Sequence, residues 1–230
     1  MKMNCKLYSV DRTKNTTREV IGIISYLPND KRLRDIRLDK LTKLLLKICG
    51  LFANQTILII AQNYNSDELQ YILTRFRNNI IVEAFDKPLL ITGARKELRR
   101  YFLEETDADY LIMLDDDCYV DGYSSDKYLS QIRENPDCFI EFAKSRLKLF
   151  AISRYCLDKV DFPNINPENE EGFEDRIWVA ELRKQLPEKQ RFFKDTGLVE
   201  YSKATRDEDS TWYKNQDISK MNERTINLTK

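Results

Sequence analysis

Apolar residues in this chain fall into short unbroken runs, separated by longer stretches in which they recur every three or four positions. The runs cover residues 20–26 (VIGIISY), 56–61 (TILIIA), 79–84 (NIIVEA) and 110–114 (YLIML). Runs of five to seven apolar, often β-branched residues read as strands buried on both faces. Between them, Leu38, Leu41, Leu45 and Ile48 mark one face of a helix over residues 33–48, with Gly50 expected to stop it. Ser66 is expected to cap a second helix, with Asp67 and Glu68 in its first turn and Leu69, Ile72, Leu73 and Phe76 on its buried side. A third helix over residues 94–105 buries Leu98, Tyr101 and Phe102. Three or four βα units in succession predict an α/β fold, with a parallel sheet and helices on both faces. Beyond residue 122 the pattern predicts strands at 138–143 and 147–152, paired as a hairpin, then a short helix at 153–160. A polar loop at 161–172 and a helix at 174–186 follow, the helix opening on two acids. Residues 1–18 read as an arm or an edge element. The tail from Lys194 is polar, with Trp212 and Tyr213 as its large aromatic pair.

Ligands of such sheets bind outside the carboxyl ends of the strands. Four ends are therefore candidates: Ser25, Tyr26, Leu27 and Pro28; Gln62 to Asn65; Asp86 to Pro88; and the acidic run Asp115, Asp116 and Asp117. Three adjacent carboxylates repel one another, and a cation with a charged ligand accounts for keeping them at a strand end. That pattern points to metal-dependent chemistry on a phosphorylated substrate.

Composition narrows the chemistry. Lys plus Arg and Asp plus Glu both number 38, which gives no electrostatic support for nucleic-acid binding. No apolar stretch is long enough to span a bilayer, and the polar start lacks a signal-peptide core, so a cytoplasmic protein is expected. Five widely spaced cysteines read as reduced thiols. There is no histidine, which excludes Ser-His-Asp and Cys-His catalysis and His-ligated zinc. A bound metal would be oxygen-ligated, of the Mn2+ or Mg2+ type.

The ordered pieces GIISYLP at 22–28, GARKELRR at 93–100, YLIMLDDD at 110–117, KLFAISR at 148–154 and GFEDRIW at 172–178 resemble the GT-A glycosyltransferases, most of all family 2. The resemblance spans residues 20 to about 186. It implies a GT-A fold with a Rossmann-like, mostly parallel central sheet flanked by helices in a single domain. It further implies transfer of a sugar from a nucleotide-sugar donor, a UDP-sugar being expected, with inversion and with Mn2+ or Mg2+ as cofactor. Asp115 and Asp117 would be the metal-binding pair. Asp175 would be the general base, with Glu174 orienting the acceptor. Ser25, Tyr26, Leu27, Pro28, Gln62, Arg95 and the three acids Asp115, Asp116 and Asp117 would bind the donor. The sequence departs from the family at Gln62, where an acid is usual, at Arg95-Lys96, where Arg-Asn is usual, and in lacking a late histidine.

The implied organisation is an N-terminal arm over 1–19 and a catalytic domain over 20–193. The domain divides into a nucleotide-sugar half (20–122) and an acceptor half (123–193). Residues 194–230 form a tail whose Trp212 and Tyr213 are either a lid or a docking anchor. The acceptor would be a glycan, a lipid-linked sugar, a protein or a small molecule. Two other readings remain: a nucleotidyltransferase using the same acidic site, and a catalytically degenerate protein that only binds nucleotide-sugar or glycan. Against the former, GIISYLPND carries no Gly-rich phosphate loop after the first strand.

Overall fold

The computed structural model describes residues 5–9, 18–76, 80–116, 118–142, 146–163, 174–193 and 197–201. Four parallel strands, β2 (Glu19–Tyr26), β3 (Thr56–Gln62), β4 (Ile80–Phe85) and β5 (Tyr110–Asp115), form its centre. Between them run α1 (Lys31–Leu51), α2 (Ser66–Arg75) and α3 (Leu90–Glu105). The strands lie in the order β4-β3-β2-β5, so the sheet grows one way from β2 and then the other. That reversal opens a crevice between β2 and β5, the usual ligand position in an open α/β sheet.

The sheet is completed by antiparallel additions. β1 (Cys5–Ser9) lies along β4 at one edge, which gives the N-terminal arm a place in the sheet. On the other side, β8 (Arg146–Ser153) pairs antiparallel with β5, and β7 (Phe139–Phe142) with β8, forming the expected hairpin. β9 (Gln190–Phe193) closes that edge, parallel to β7. A separate ribbon joins β6 (Tyr119–Asp121), just after the acidic run, to β10 (Val199–Tyr201).

Side chains alternate across the strands and feed two cores. Ile21, Ile23, Ile57, Ile59, Ile112 and Leu114 pack under α1, α2 and α4 (Asp126–Arg133), where Leu41, Leu45, Ile72, Tyr128 and Ile132 meet them. Leu58, Ile60, Leu111, Met113, Phe150 and Ile152 face α3, α5 (Arg154–Lys159) and α6 (Glu174–Gln185) on the other side. There Trp178 of α6 is fully buried, stacked on Phe162 at 4.1 Å and edge-on to Phe150 at 5.6 Å.

Helix ends differ from expectation in two places. Gly50 does not stop α1: the helix runs through it to Leu51, and the Phe52 N–H caps the Ile48 carbonyl. Asn65 rather than Ser66 caps α2. Its side chain accepts the Glu68 N–H while the Glu68 carboxylate accepts the Asn65 N–H, a reciprocal box that a Ser one residue later has the wrong spacing to form.

Candidate functional site

Two neighbouring positions with unlike side chains define where α3 sits. A Cβ at Gly22 would lie 2.7 Å from both methyls of Leu98 and 2.9 Å from Leu111, so the missing side chain lets α3 approach β2 closely. One turn before Leu98 on α3, Arg95 is 3% exposed, and its Nη2 lies 3.8 Å from Asp115 Oδ1 at the end of β5. Asp115 is level with Ile24 of β2, and Tyr26 is level with Gln62 of β3. By strand alternation, Tyr26, Gln62 and Asp115 all project to the α3 side. An aromatic ring, an amide, a buried cation and a carboxylate thus gather on one face, across the strand ends that flank the crevice. A Cβ at Gly93 would lie 3.2 Å from the Leu89 Cβ, at the start of the same helix.

Asp116 goes the other way. Its Oδ2 accepts the Ser25 hydroxyl at 2.7 Å, Ser25 Oγ lies 2.6 Å from the Tyr64 hydroxyl, and Arg37 of α1 lies 3.7 Å from Asp116 Oδ1. Since Ser25 donates its one proton to Asp116, Tyr64 must donate to Ser25. Burial first, and the Asp116 charge second, push the Tyr64 phenol well above its ordinary value, which keeps that donor protonated. Ser25, Tyr64 and Asp116 are all buried. Their hydroxyl and carboxylate groups are engaged inside the fold, so Ser25 and Asp116 brace the site from beneath. Leu27 is likewise withdrawn, fully buried in the core under α1.

The turns that carry the site are fastened together by Arg34, which the sequence did not single out, with Glu68 and Asn63. Arg34 donates to the Pro28 carbonyl at 3.1 Å, to the Asn63 carbonyl at 2.6 Å and to both oxygens of Glu68. The hydrogen bonds to Glu68 hold the guanidinium above its ordinary value, with burial opposing. Asn63, at φ 61°, donates to the Leu27 carbonyl at 2.7 Å. The left-handed backbone there suits Asn among non-Gly residues, and this is the one signal that sequence could have offered. Asp86, Lys87 and Pro88 at the end of β4 are exposed.

Among the described residues no three His, Cys, Asp or Glu side chains converge on one point, and Asp117 lies outside the described residues. Asp115 nonetheless offers a one-third-exposed carboxylate at the strand end. With no histidine in the chain, its hard oxygen suits a Mn2+ or Mg2+ ion and not zinc. Glu174 and Asp175 occupy the first turn of α6, which packs on the same face as α3 and is anchored there by Trp178. Trp212 and Tyr213 lie outside the described residues. No described helix is long and apolar enough to cross a membrane.

No protein-family model and no curated protein matches the chain. Solved structures do match in fold. TarS 1–349 of S. aureus in complex with UDP-GlcNAc superposes with a TM-score of 0.58 at 11% identity, over 79% of this chain and 57% of that one. The mannosyltransferase PcManGT of Pyrobaculum calidifontis, in complex with GDP-Man and Mn2+, gives 0.53 at 11% identity, over 77% and 54%. A Bacillus anthracis structure assigned as a glucose-1-phosphate thymidylyltransferase gives 0.54 at 8% identity, over 79% and 88%. The chain spans between 37% and 62% of the length of the TarS chains it matches. At these identities the likeness is one of architecture. The mixed α/β sheet, its β2–β5 crevice and its flanking helices are the fold of the nucleotide-diphospho-sugar transferases.

Proposed function

We propose that this protein is a metal-dependent, inverting glycosyltransferase that moves a sugar from a nucleotide-sugar to an acceptor hydroxyl. The observation that carries the reading is the gathering of Tyr26, Gln62, Arg95 and Asp115 on one face at the β2–β5 crevice. Tyr26 offers a ring to the base, Gln62 a polar contact at the pocket floor, and Arg95 a fixed cation for the diphosphate. Asp115 and Asp117 would hold a divalent cation, which when bound screens the charge growing on the departing diphosphate. The fold relatives described with UDP-GlcNAc, GDP-Man and Mn2+ support this donor class and metal. At the start of α6, Asp175 takes the proton of the acceptor hydroxyl as the new bond forms, and Glu174 orients the acceptor. A single displacement of this kind inverts the anomeric centre.

Asp175→Asn tests the base. Transfer, measured as nucleotide released in the presence of acceptor, should fall by about a hundredfold or more while donor affinity is kept. Undiminished transfer in the variant would remove Asp175 from the mechanism. A wild-type protein that binds glycan but never consumes donor would be a binding protein only. The thymidylyltransferase relative keeps a second reading in view, a nucleotidyltransferase on the same scaffold. It requires pyrophosphate release from a nucleoside triphosphate and a sugar phosphate. The β2–α1 connection, with Pro28 and Asp30 and no glycine, lacks the loop that usually cradles a triphosphate.

A further inference from the structure

The buried cation of this site constrains the metal as much as the carboxylates do. Arg95 is 3% exposed, and its Nη2 lies 3.8 Å from Asp115 Oδ1, so a guanidinium already answers the charge of that carboxylate. A guanidinium does not give up its proton in a protein. Arg95 is also held in place: it rides on α3, which sits close on β2 over Gly22, and its side chain is almost wholly covered. Asp116 is committed elsewhere, turned to Ser25 and Arg37 on the other face.

A divalent cation on Asp115 shares the carboxylate with this guanidinium. Oxygen ligands hold such an ion at about 2.1 Å, so an ion on Oδ1 comes within about 6 Å of Nη2. With Asp117 as the second ligand, two carboxylates balance the ion, and the positive charge of Arg95 then faces it. Because Arg95 is walled in by protein, water screens that repulsion poorly. A nucleoside diphosphate brings negative charge that can lie against both cations.

We propose that Arg95 sets the order of binding: it holds the metal off Asp115 until a nucleoside diphosphate is present, and the two then bind and leave as a unit. This rests on the metal and nucleotide-sugar reading above. By linkage, the nucleotide tightens the metal by the same factor as the metal tightens the nucleotide. The one guanidinium opposes the metal alone and favours the metal with nucleotide. Removing its charge should therefore move the two affinities in opposite directions.

Mn2+ binding to the nucleotide-free protein, read by electron paramagnetic resonance, tests this together with calorimetric titration of UDP or GDP in excess Mn2+. Arg95→Gln should bind Mn2+ alone about tenfold tighter than the wild type, and nucleotide with Mn2+ about tenfold more weakly. Arg95→Lys, which keeps the charge, should leave the affinity for Mn2+ alone as low as in the wild type. An Arg95→Gln protein that binds Mn2+ no tighter overturns the proposal. So does a loss of both affinities together, which a purely structural role would give. If Arg95→Gln does not fold, the wild type decides by its melting temperature. Mn2+ alone should leave it unchanged at a concentration that raises it with UDP or GDP, and equal rises overturn the proposal. Nucleotide binding with an unchanged metal affinity in Arg95→Gln keeps the nucleotide site and removes only this role of Arg95. No binding of UDP, GDP, CDP, ADP or dTDP with Mn2+ removes the site reading and this inference with it.

Discussion

Asp115 and Asp116 are chemically identical neighbours with opposite tasks, and the difference comes from strand alternation alone. Asp115 faces Arg95 and stays accessible, whereas Asp116 ends a buried chain from Tyr64 through Ser25. Ser25→Ala should therefore leave Tyr64 and Asp116 each short of a partner inside the fold. A loss of about 1–3 kcal/mol in urea unfolding is expected, with little direct effect on nucleotide contacts. A variant as stable as the wild type would mean water replaces the hydroxyl at no cost. The strand-end rule made Tyr26, Gln62 and the acidic run legible in the sequence, and the family resemblance added Arg95. It could not say which of them turn inward, because the outcome depends on partners such as Tyr64, 39 residues from Ser25. Arg34 was missed for the same reason: its partner Glu68 is 34 residues away, and nothing local marks the pair.

At the level of elements, α3 is held at both ends. Its approach to β2 depends on Gly22, while its last carbonyls are gathered by Arg154. That guanidinium donates to Phe102 and Leu103 at 2.9 and 3.0 Å and to Thr106 at 2.7 Å, and lies 4.6 Å from the Phe102 ring. Arg154 thus fills the role that a basic residue in the helix's own last turn would otherwise take. Gly22→Ala should push α3 away from the sheet, costing about 1–3 kcal/mol of stability through overpacking. Because Arg95 and Leu89 ride on this helix end, nucleotide affinity should fall as well, read by titration. Destabilisation without any loss of affinity would show that the strand ends hold the site independently of α3. The long helices and the central strands were legible from periodicity. α4, β6, β9 and β10 were not, since they have only eight, three, four and three residues and owe their form to packing and pairing.

For the whole molecule, the parallel centre followed from successive βα units, but the antiparallel edges did not. β1 adds beside β4 across some seventy residues, a choice that no local pattern encodes. A ligand that binds only the folded chain stabilises all of it, by about 2.7 kcal/mol at a hundred times its dissociation constant. Nucleotides with Mn2+ should therefore raise the melting temperature, and EDTA should erase the rise if Asp115 anchors the cation. A rise that survives EDTA would keep the pocket and remove the metal from Asp115. The facing of the two acids also sets how this chain can change over time. Exchanging one side chain of β5 for another alters a single contact. Adding one residue between Tyr110 and Leu114 would move Asp115 into the place that faces Ser25, and deleting one would move Asp116 into the place that faces Arg95. The site should thus accept substitution far more readily than any change in the length of that strand.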